Sequence, residues 1–116
     1  MAAKAFLKPE LIEHVARRFR TLGDPTRLTI LQALLAGPAT VTEVIRATGR
    51  GQANVSKHLS VLADADILSR TRDGTRIIYE VIDPLVFKLC DIVCGSVRKQ
   101  MAQRLKEHQK LLLGKR

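Results

Sequence analysis

The chain has 116 residues, of which 46% are hydrophobic and 3% aromatic, and its formal net charge is +9. This length suits one small domain whose single core leaves much of its surface exposed, so we expect support from a second subunit. The scarcity of aromatic residues argues against a stacking platform for single-stranded nucleic acid, while the charge favours an anionic partner, with duplex nucleic acid ahead of a membrane surface.

The basic charge is concentrated near the C-terminus. Residues 98–116 contain seven Lys or Arg residues against one acidic residue, whereas residues 40–82 contain six against five. A solvated helix face explains this excess as well as contact with phosphates does. The N-terminus lacks the apolar segment of a secretory signal and no run approaches a membrane span, which predicts a soluble, cytoplasmic protein with no membrane partner.

Glycine and proline residues separate the first predicted helices. An amphipathic helix at about 9–21 ends before Gly23-Asp24-Pro25, which supplies a stop, an N-cap and a proline at the first position of a second helix. That helix runs to about Ala36. Thr40-Val-Thr-Glu43 has the form of a capping box and opens a short third helix that ends at Thr48.

The segment from Gln52 to Leu62 is predicted to be a DNA-recognition helix. Val55, Leu59 and Leu62 share one face, while Asn54, Lys57 and Ser60 look the other way. Two short helices joined by a Gly-containing turn, the second with a polar outer face, describe a helix-turn-helix. An ordinary amphipathic surface helix would show the same periodicity, so the segment that follows carries part of the argument.

A β-hairpin is predicted directly after this helix. Residues 68–72 and 75–82 flank Asp73-Gly74, and a two-residue Asp-Gly loop is a strong signal for a hairpin. Arginines cluster around its tip, where guanidinium groups can meet phosphates beside the groove that the helix enters. These arginines, which also suit a merely soluble hairpin, are Arg70, Arg72 and Arg76.

The last helical pattern begins at Asp83-Pro84 and continues for about 28 residues, or roughly 40 Å. Its apolar stripe outreaches a core of this size, so much of it should pack against a second copy of the chain. The fold prediction is mainly α with a β-hairpin wing: a single winged helix-turn-helix domain over residues 1–116, with dimerisation helices at 9–21 and 84–112, the helix-turn-helix at 40–64 and the wing at 67–82.

These motifs, in this order, resemble the ArsR/SmtB family of bacterial winged-helix repressors. The resemblance rests on Gly-Asp-Pro-Thr-Arg-Leu-x-Ile-Leu, Thr-Val-Thr-Glu, Asn54-Val-Ser-Lys-His-Leu and Arg-x-Arg-Asp-Gly, and it covers the chain from about Leu11 to Leu105. It implies a homodimer, paired through the first and last helices, that binds an operator and releases it when an effector binds. It does not imply an enzyme.

Residues that contact DNA follow from the family pattern and from helix geometry together. Gln and Asn can read adenine edges, Lys favours guanine or phosphate, and Ser bonds to either. We expect His58 to be exposed, as a phosphate contact or a solvated residue. A two-fold dimer presents its helices about 34 Å apart, which predicts an imperfect palindrome in double-stranded DNA. The predicted contacts on the helix are Gln52, Ala53, Asn54, Ser56, Lys57, His58 and Ser60.

The chain departs from the family's best-known sensor sites. Thr40-Val41-Thr42 replaces the Cys-Val-Cys box at the start of the third helix. The zinc ligands of the family's terminal helix align with Asp83, Leu85, Ser96 and Lys99, of which only the aspartate is a ligand type. Neither inherited site can be expected to bind an effector here.

Cys90 and Cys94 are the candidate effector site. Spaced by four on a helix, their Cβ atoms lie about 5–6 Å apart, wider than a disulfide prefers, but two thiolates can turn toward one thiophilic metal or metalloid ion. A sulfur-bridged or oxidised pair is a further option. Both could equally serve as small apolar residues in the stripe. A third ligand would come from the partner subunit, His14, His108 or solvent.

The leading hypothesis is a homodimeric operator-binding repressor released by a thiophilic or thiol-reactive effector, such as arsenite, a soft metal ion or a reactive sulfur or oxidising species. The alternatives are a winged-helix regulator whose cysteines only pack, and a protein-interaction module. A thiol enzyme or metal carrier is disfavoured, since no Cys-x-x-Cys motif or neighbouring base is evident.

Overall fold

Residues 7–114 of the computed structural model are described and contain five α-helices and three short strands. The chain divides into two compact units, of which the first ends at Asp83 and the second begins at Pro84. The helix order and the hairpin between the fourth and fifth helices confirm the predicted winged helix-turn-helix. The elements are α1 (Pro9–Leu22), α2 (Pro25–Ala33, prolonged by a 3₁₀ turn at Leu34–Ala36), β1 (Ala39–Thr40), α3 (Val41–Thr48), α4 (Gln52–Asp64), β2 (Leu68–Asp73), β3 (Arg76–Val81) and α5 (Leu85–Leu112).

Side-chain caps set the starts of α2 and α3. Asp24 Oδ2 accepts a hydrogen bond from the backbone N–H of Arg27 at 3.0 Å. Thr40 Oγ1 accepts from the Glu43 N–H at 3.2 Å, and Glu43 Oε1 accepts in return from the Thr40 N–H at 2.8 Å. The second bond holds the pKa of Glu43 below its usual range. Both caps were predicted from the sequence and are confirmed. Each gives a side-chain acceptor to a backbone N–H group at the start of a helix, where no partner exists within the helix.

The apolar face of α4 is the centre of the first unit. Val55, Leu59 and Leu62 are each 0% exposed, and α4 packs against α2, α3 and β2. Ile30 of α2 and Ile67, just before β2, are equally buried. The predicted inner face of the recognition helix is therefore confirmed.

The hairpin forms where it was predicted, but its loop lies one residue later. Asp73 pairs with Arg76, so the two loop residues are Gly74 and Thr75 and not Asp73-Gly74. Gly74 has φ of 65°. With Gly74 first in the loop, the positive φ falls on a residue that has no Cβ, and Asp73 remains in the strand.

β1 is a strand that the sequence did not indicate. It pairs antiparallel with β3, Ala39 opposite Tyr79 and Thr40 opposite Ile78, giving the strand order β1-β3-β2. Two residues are too few to show an alternating pattern. This strand ties β3, one edge of the hairpin, to the start of α3.

α5 extends for 28 residues, as predicted. Leu85 is its first residue and Pro84 stands at the cap position, one residue later than the sequence suggested. Between Leu85 and Leu112 only Val86 is buried, and most of the long apolar side chains are exposed. No helix within residues 7–114 combines the length and apolar character needed to cross a membrane.

Candidate nucleic-acid interface and cysteine pair

The N-terminal half of α4 presents polar side chains. Gln52, Ala53, Asn54 and Lys57 are exposed, while Ser56 and Ser60 are half-buried. Lys57 makes no hydrogen bond or ion pair with any residue in the described range. Six of the seven helix residues predicted to contact DNA are thus exposed or half-buried on α4.

His58 is the exception, and the expectation that it is exposed was wrong. Its exposure is 8%, and its Nδ1 lies 3.0 Å from Nη1 of Arg27 and 3.9 Å from Oδ2 of Asp24. The physical reason is its spacing, three residues after Val55 and four before Leu62, which puts it beside the buried face. His58 therefore turns into the protein and is not part of the exposed surface.

The three arginines of the hairpin differ in their contacts. Arg70 Nη2 donates to Asp64 Oδ1 at 3.1 Å and to the Ser60 carbonyl at 3.4 Å, so it braces β2 against α4. Arg76 pairs with Asp73 at 3.2 Å. Arg72 has no such partner within residues 7–114, which leaves its guanidinium as the hairpin's uncommitted cation.

An open cavity lies between α3, α4 and the hairpin and joins residues that the sequence had assigned separately. Gln52 and Ser56 from α4 and Arg76 from the hairpin line it together with Thr42 and Arg46 of α3. Arg46 was not among the predicted contacts, although an arginine on the helix that precedes a predicted recognition helix is a usable signal. The concave surface is rich in hydrogen-bond donors.

The cysteine pair lies on α5. Cys90 is half-buried and Cys94 is exposed, and both are free thiols. Arg98 Nη2 donates to Cys94 Sγ at 3.0 Å, while burial raises the pKa of the Cys90 thiol. Two thiols at this spacing suit a thiophilic ion chemically. Within the described residues no group of three His, Cys, Asp or Glu side chains is placed to hold a metal.

Known proteins share this architecture. A family model described as a helix-turn-helix domain matches residues 22–71. A probable mercury resistance operon repressor of Streptomyces lividans is 47% identical over 74 residues, which are 64% of this chain and 59% of that protein. The HTH-type transcriptional regulator NmtR of Mycobacterium tuberculosis is 35% identical over 85 residues, which are 73% of this chain and 71% of that protein.

Two solved structures extend the comparison to the whole fold. The antimony-specific transcriptional repressor AntR superimposes with a TM-score of 0.76 at 28% identity, over 88% of this chain and 93% of that one. A homodimeric winged helix-turn-helix DNA-binding domain from Mycobacterium bovis, described as a possible ArsR-family regulator, gives 0.71 at 29% identity, over 85% and 92%.

The fold and these relatives together define a winged helix-turn-helix DNA-binding regulator. The chain belongs to the ArsR/SmtB family of transcriptional regulators. Its relatives are named as regulators of transcription and not as enzymes.

Iodoacetamide should alkylate Cys94 faster than Cys90. Within a single copy of the chain Cys94 is the more exposed thiol, and the raised pKa of Cys90 leaves less of its reactive thiolate at neutral pH. The gap should narrow only when the pH rises above the ordinary pKa of a thiol, about 8.5, because the Cys90 thiol ionises above that range. Mass spectrometry of the Cys90→Ser and Cys94→Ser variants gives each rate separately. Equal rates at neutral pH, or a faster Cys90, would contradict the expected order.

Proposed function

We propose that the protein is a homodimeric repressor that binds an imperfect palindrome in duplex DNA, reading base edges with α4. The carrying observation is the full burial of Val55, Leu59 and Leu62 beside an exposed polar face at the start of the same helix. In helix-turn-helix proteins the N-terminal residues of the recognition helix contact bases in the major groove. Gln52 and Asn54 suit adenine, and Lys57 suits guanine or phosphate.

The hairpin and α3 supply the phosphate contacts in this proposal. Arg72 is uncommitted within the described residues, so it can meet a phosphate without giving up a carboxylate partner. Arg70 and Arg76 each pair with a carboxylate, so either would have to weaken that ion pair in order to contact a phosphate. Arg46 is exposed at the edge of the cavity that Gln52 and Arg76 also line, and it extends the cationic surface toward α3.

The proposed dimer rests on the exposed apolar surface of α1 and α5. Leu11, Ile12 and Phe19 are exposed on α1. On α5 a set of apolar side chains forms one stripe, whose residues are given at the end of this paragraph. At 3.6 residues per turn they fall within about 80° of the helix circumference. A continuous apolar surface of this kind marks an interface. The homodimeric relative from Mycobacterium bovis supports a second copy as its occupant. The stripe consists of Cys90, Cys94, Val97, Met101, Leu105 and Leu112, all half-buried or exposed.

The proposed effector is a thiophilic ion or a thiol-reactive species that acts at Cys90 and Cys94. Soft ions prefer thiolate ligands, and two sulfurs four residues apart on a helix can turn toward one ion. The names of two relatives, a probable mercury resistance operon repressor and an antimony-specific repressor, support this class of ligand. The competing proposal, a regulator whose cysteines only pack, draws on the half-burial of Cys90 within the apolar stripe.

Lys57→Ala should weaken binding to a preferred duplex by about 1–3 kcal/mol, because it removes a base or phosphate contact of α4. Arg72→Ala should weaken the salt dependence. The magnitude of the negative slope of log K against log salt should fall by about one, as expected for one lost phosphate contact. Fluorescence anisotropy with a duplex enriched from random sequence measures both.

The matched control for these two variants is Lys106→Ala, which removes the same charge from α5. It should leave affinity and salt slope close to those of the unmodified protein. If all three variants behave alike, α4 and the hairpin are not the DNA-binding surface. Failure to enrich any duplex would favour a protein-interaction module.

Met101→Glu should dissociate the dimer, because it places a charge within the apolar stripe where a second copy would bury it. Lys99→Glu makes a comparable change about 200° around the same helix and should leave the dimer intact. Analytical ultracentrifugation over a range of protein concentrations separates the two cases. An unmodified protein that sediments as a monomer, or a Met101→Glu variant that remains dimeric, would contradict this interface.

Mercuric ion, arsenite or antimonite should release the unmodified protein from DNA, and the Cys90→Ser/Cys94→Ser protein should stay bound. Serine keeps the size of each side chain but removes the soft sulfur ligand. The same titration with a persulfide donor and with peroxide separates metal binding from thiol oxidation. Equal DNA affinity of both proteins without effector serves as the control. Unchanged release of the double variant by every agent would leave the cysteines as packing residues.

A further inference from the structure

Arg27 connects three parts of the first unit through a single guanidinium. Its Nε donates to the Thr21 carbonyl at 2.6 Å and its Nη2 to the Arg20 carbonyl at 3.5 Å, both in the last turn of α1. Its Nη1 lies 3.0 Å from Nδ1 of His58, on α4. The side chain starts from the first turn of α2, so it bridges the end of α1 to the recognition helix.

The direction of the contact with His58 defines the state of the imidazole ring. A guanidinium has donors and no acceptor, so Nδ1 of His58 must accept the hydrogen bond. An accepting Nδ1 requires a neutral ring that carries its proton on Nε2. Protonation would turn Nδ1 into a donor, which removes the bond and leaves two cations 3.0 Å apart.

We propose that Arg27 and His58 are positioning residues for DNA reading: their hydrogen bond sets the recognition helix against the end of α1 only while His58 is neutral, so DNA affinity falls when this imidazole is protonated. The inference rests on the proposed reading of DNA by α4. Arg70 holds the C-terminal half of α4 through Asp64 and the Ser60 carbonyl. The buried face of α4, Val55, Leu59 and Leu62, makes apolar contacts, which are non-directional. A hydrogen bond constrains direction as well as distance, and Arg27–His58 is such a contact between α2 and α4.

Asp24 is the other charged group that faces His58. Its Oδ2 is 3.9 Å from Nδ1 and already caps α2 by accepting from the Arg27 N–H. That hydrogen bond lowers the pKa of Asp24, so this group remains a carboxylate. A protonated His58 can pair with Asp24, but it does so in place of Arg27 and the bridge to α1 is still lost. Within residues 7–114, α3 and β2 bring no carboxylate within ion-pair distance of His58.

His58→Asn tests the inference directly. The amide oxygen of asparagine can replace Nδ1 as the acceptor for Arg27, and it does not titrate. Anisotropy titrations from about pH 8 to about pH 5, at constant ionic strength, cover the range in which an imidazole takes up a proton. The unmodified protein should lose about tenfold in affinity relative to His58→Asn across this range, the scale of one hydrogen bond to a charged group. His58→Phe, which offers no acceptor, should bind weakly at every pH.

His14→Asn is the matched control, since it removes an exposed histidine from α1. It should keep the pH profile of the unmodified protein. Arg27→Lys is the second variant: a single ammonium cannot span the Thr21 carbonyl and His58, so affinity at high pH should fall and the pH dependence should flatten. Circular dichroism at each pH shows whether a variant remains folded.

Parallel pH profiles for the unmodified protein and His58→Asn would overturn the inference alone. Imidazole nitrogen shifts in an NMR spectrum of the DNA-free protein give a readout that does not depend on DNA. The Nε2–H form supports the inference, and the Nδ1–H form overturns it. Absence of DNA binding by the unmodified protein at every pH would instead overturn the proposed function itself.

Discussion

Burial of Val55, Leu59 and Leu62 is the constraint on which the first unit depends. Fully burying a Val or Leu side chain is worth about 1.5–3 kcal/mol, so the three together contribute roughly 5–9 kcal/mol. The whole stability of a domain is about 5–15 kcal/mol. α4 therefore cannot present its opposite side without unfolding, and this fixes Gln52 and Lys57 at the surface. The hairpin and α3 are positioned relative to that face through β2, β1 and direct helix packing.

The parts of the fold that were predictable from the sequence are those that depend on neighbours along the chain. Asp24 caps α2 three residues ahead, and Thr40 and Glu43 cap one another across the same spacing. The inner face of α4 follows from intervals of three and four residues. In each case the residue and its partner lie within one helical turn, so a local pattern carries the information.

The features that sequence reasoning missed depend on contacts between distant residues. His58 meets Arg27 across 31 positions, and no local pattern states that a histidine beside an apolar face will find a buried donor. β1 exists only because β3 offers it a partner 38 to 40 residues later. The hairpin loop was misplaced by one residue because Asp-Gly and Gly-Thr both suit two-residue turns. Pairing between Asp73 and Arg76 selects the second, since it confines positive φ to glycine.

Control of such a repressor does not require the effector to touch DNA. An effector weakens DNA binding when it binds the DNA-free conformation more tightly, and the coupling is typically about 1–3 kcal/mol. In the proposed dimer the two copies of α4 enter successive major grooves about 34 Å apart. A small change in how the subunits pair would therefore move one copy of α4 away from the bases that it reads. Cys90 and Cys94 lie within the apolar stripe of α5 proposed to pair the subunits. In this proposal, an ion or a sulfur bridge at these side chains changes the shape and polarity of that stripe. The pairing of the subunits then changes, and with it the spacing of the two copies of α4.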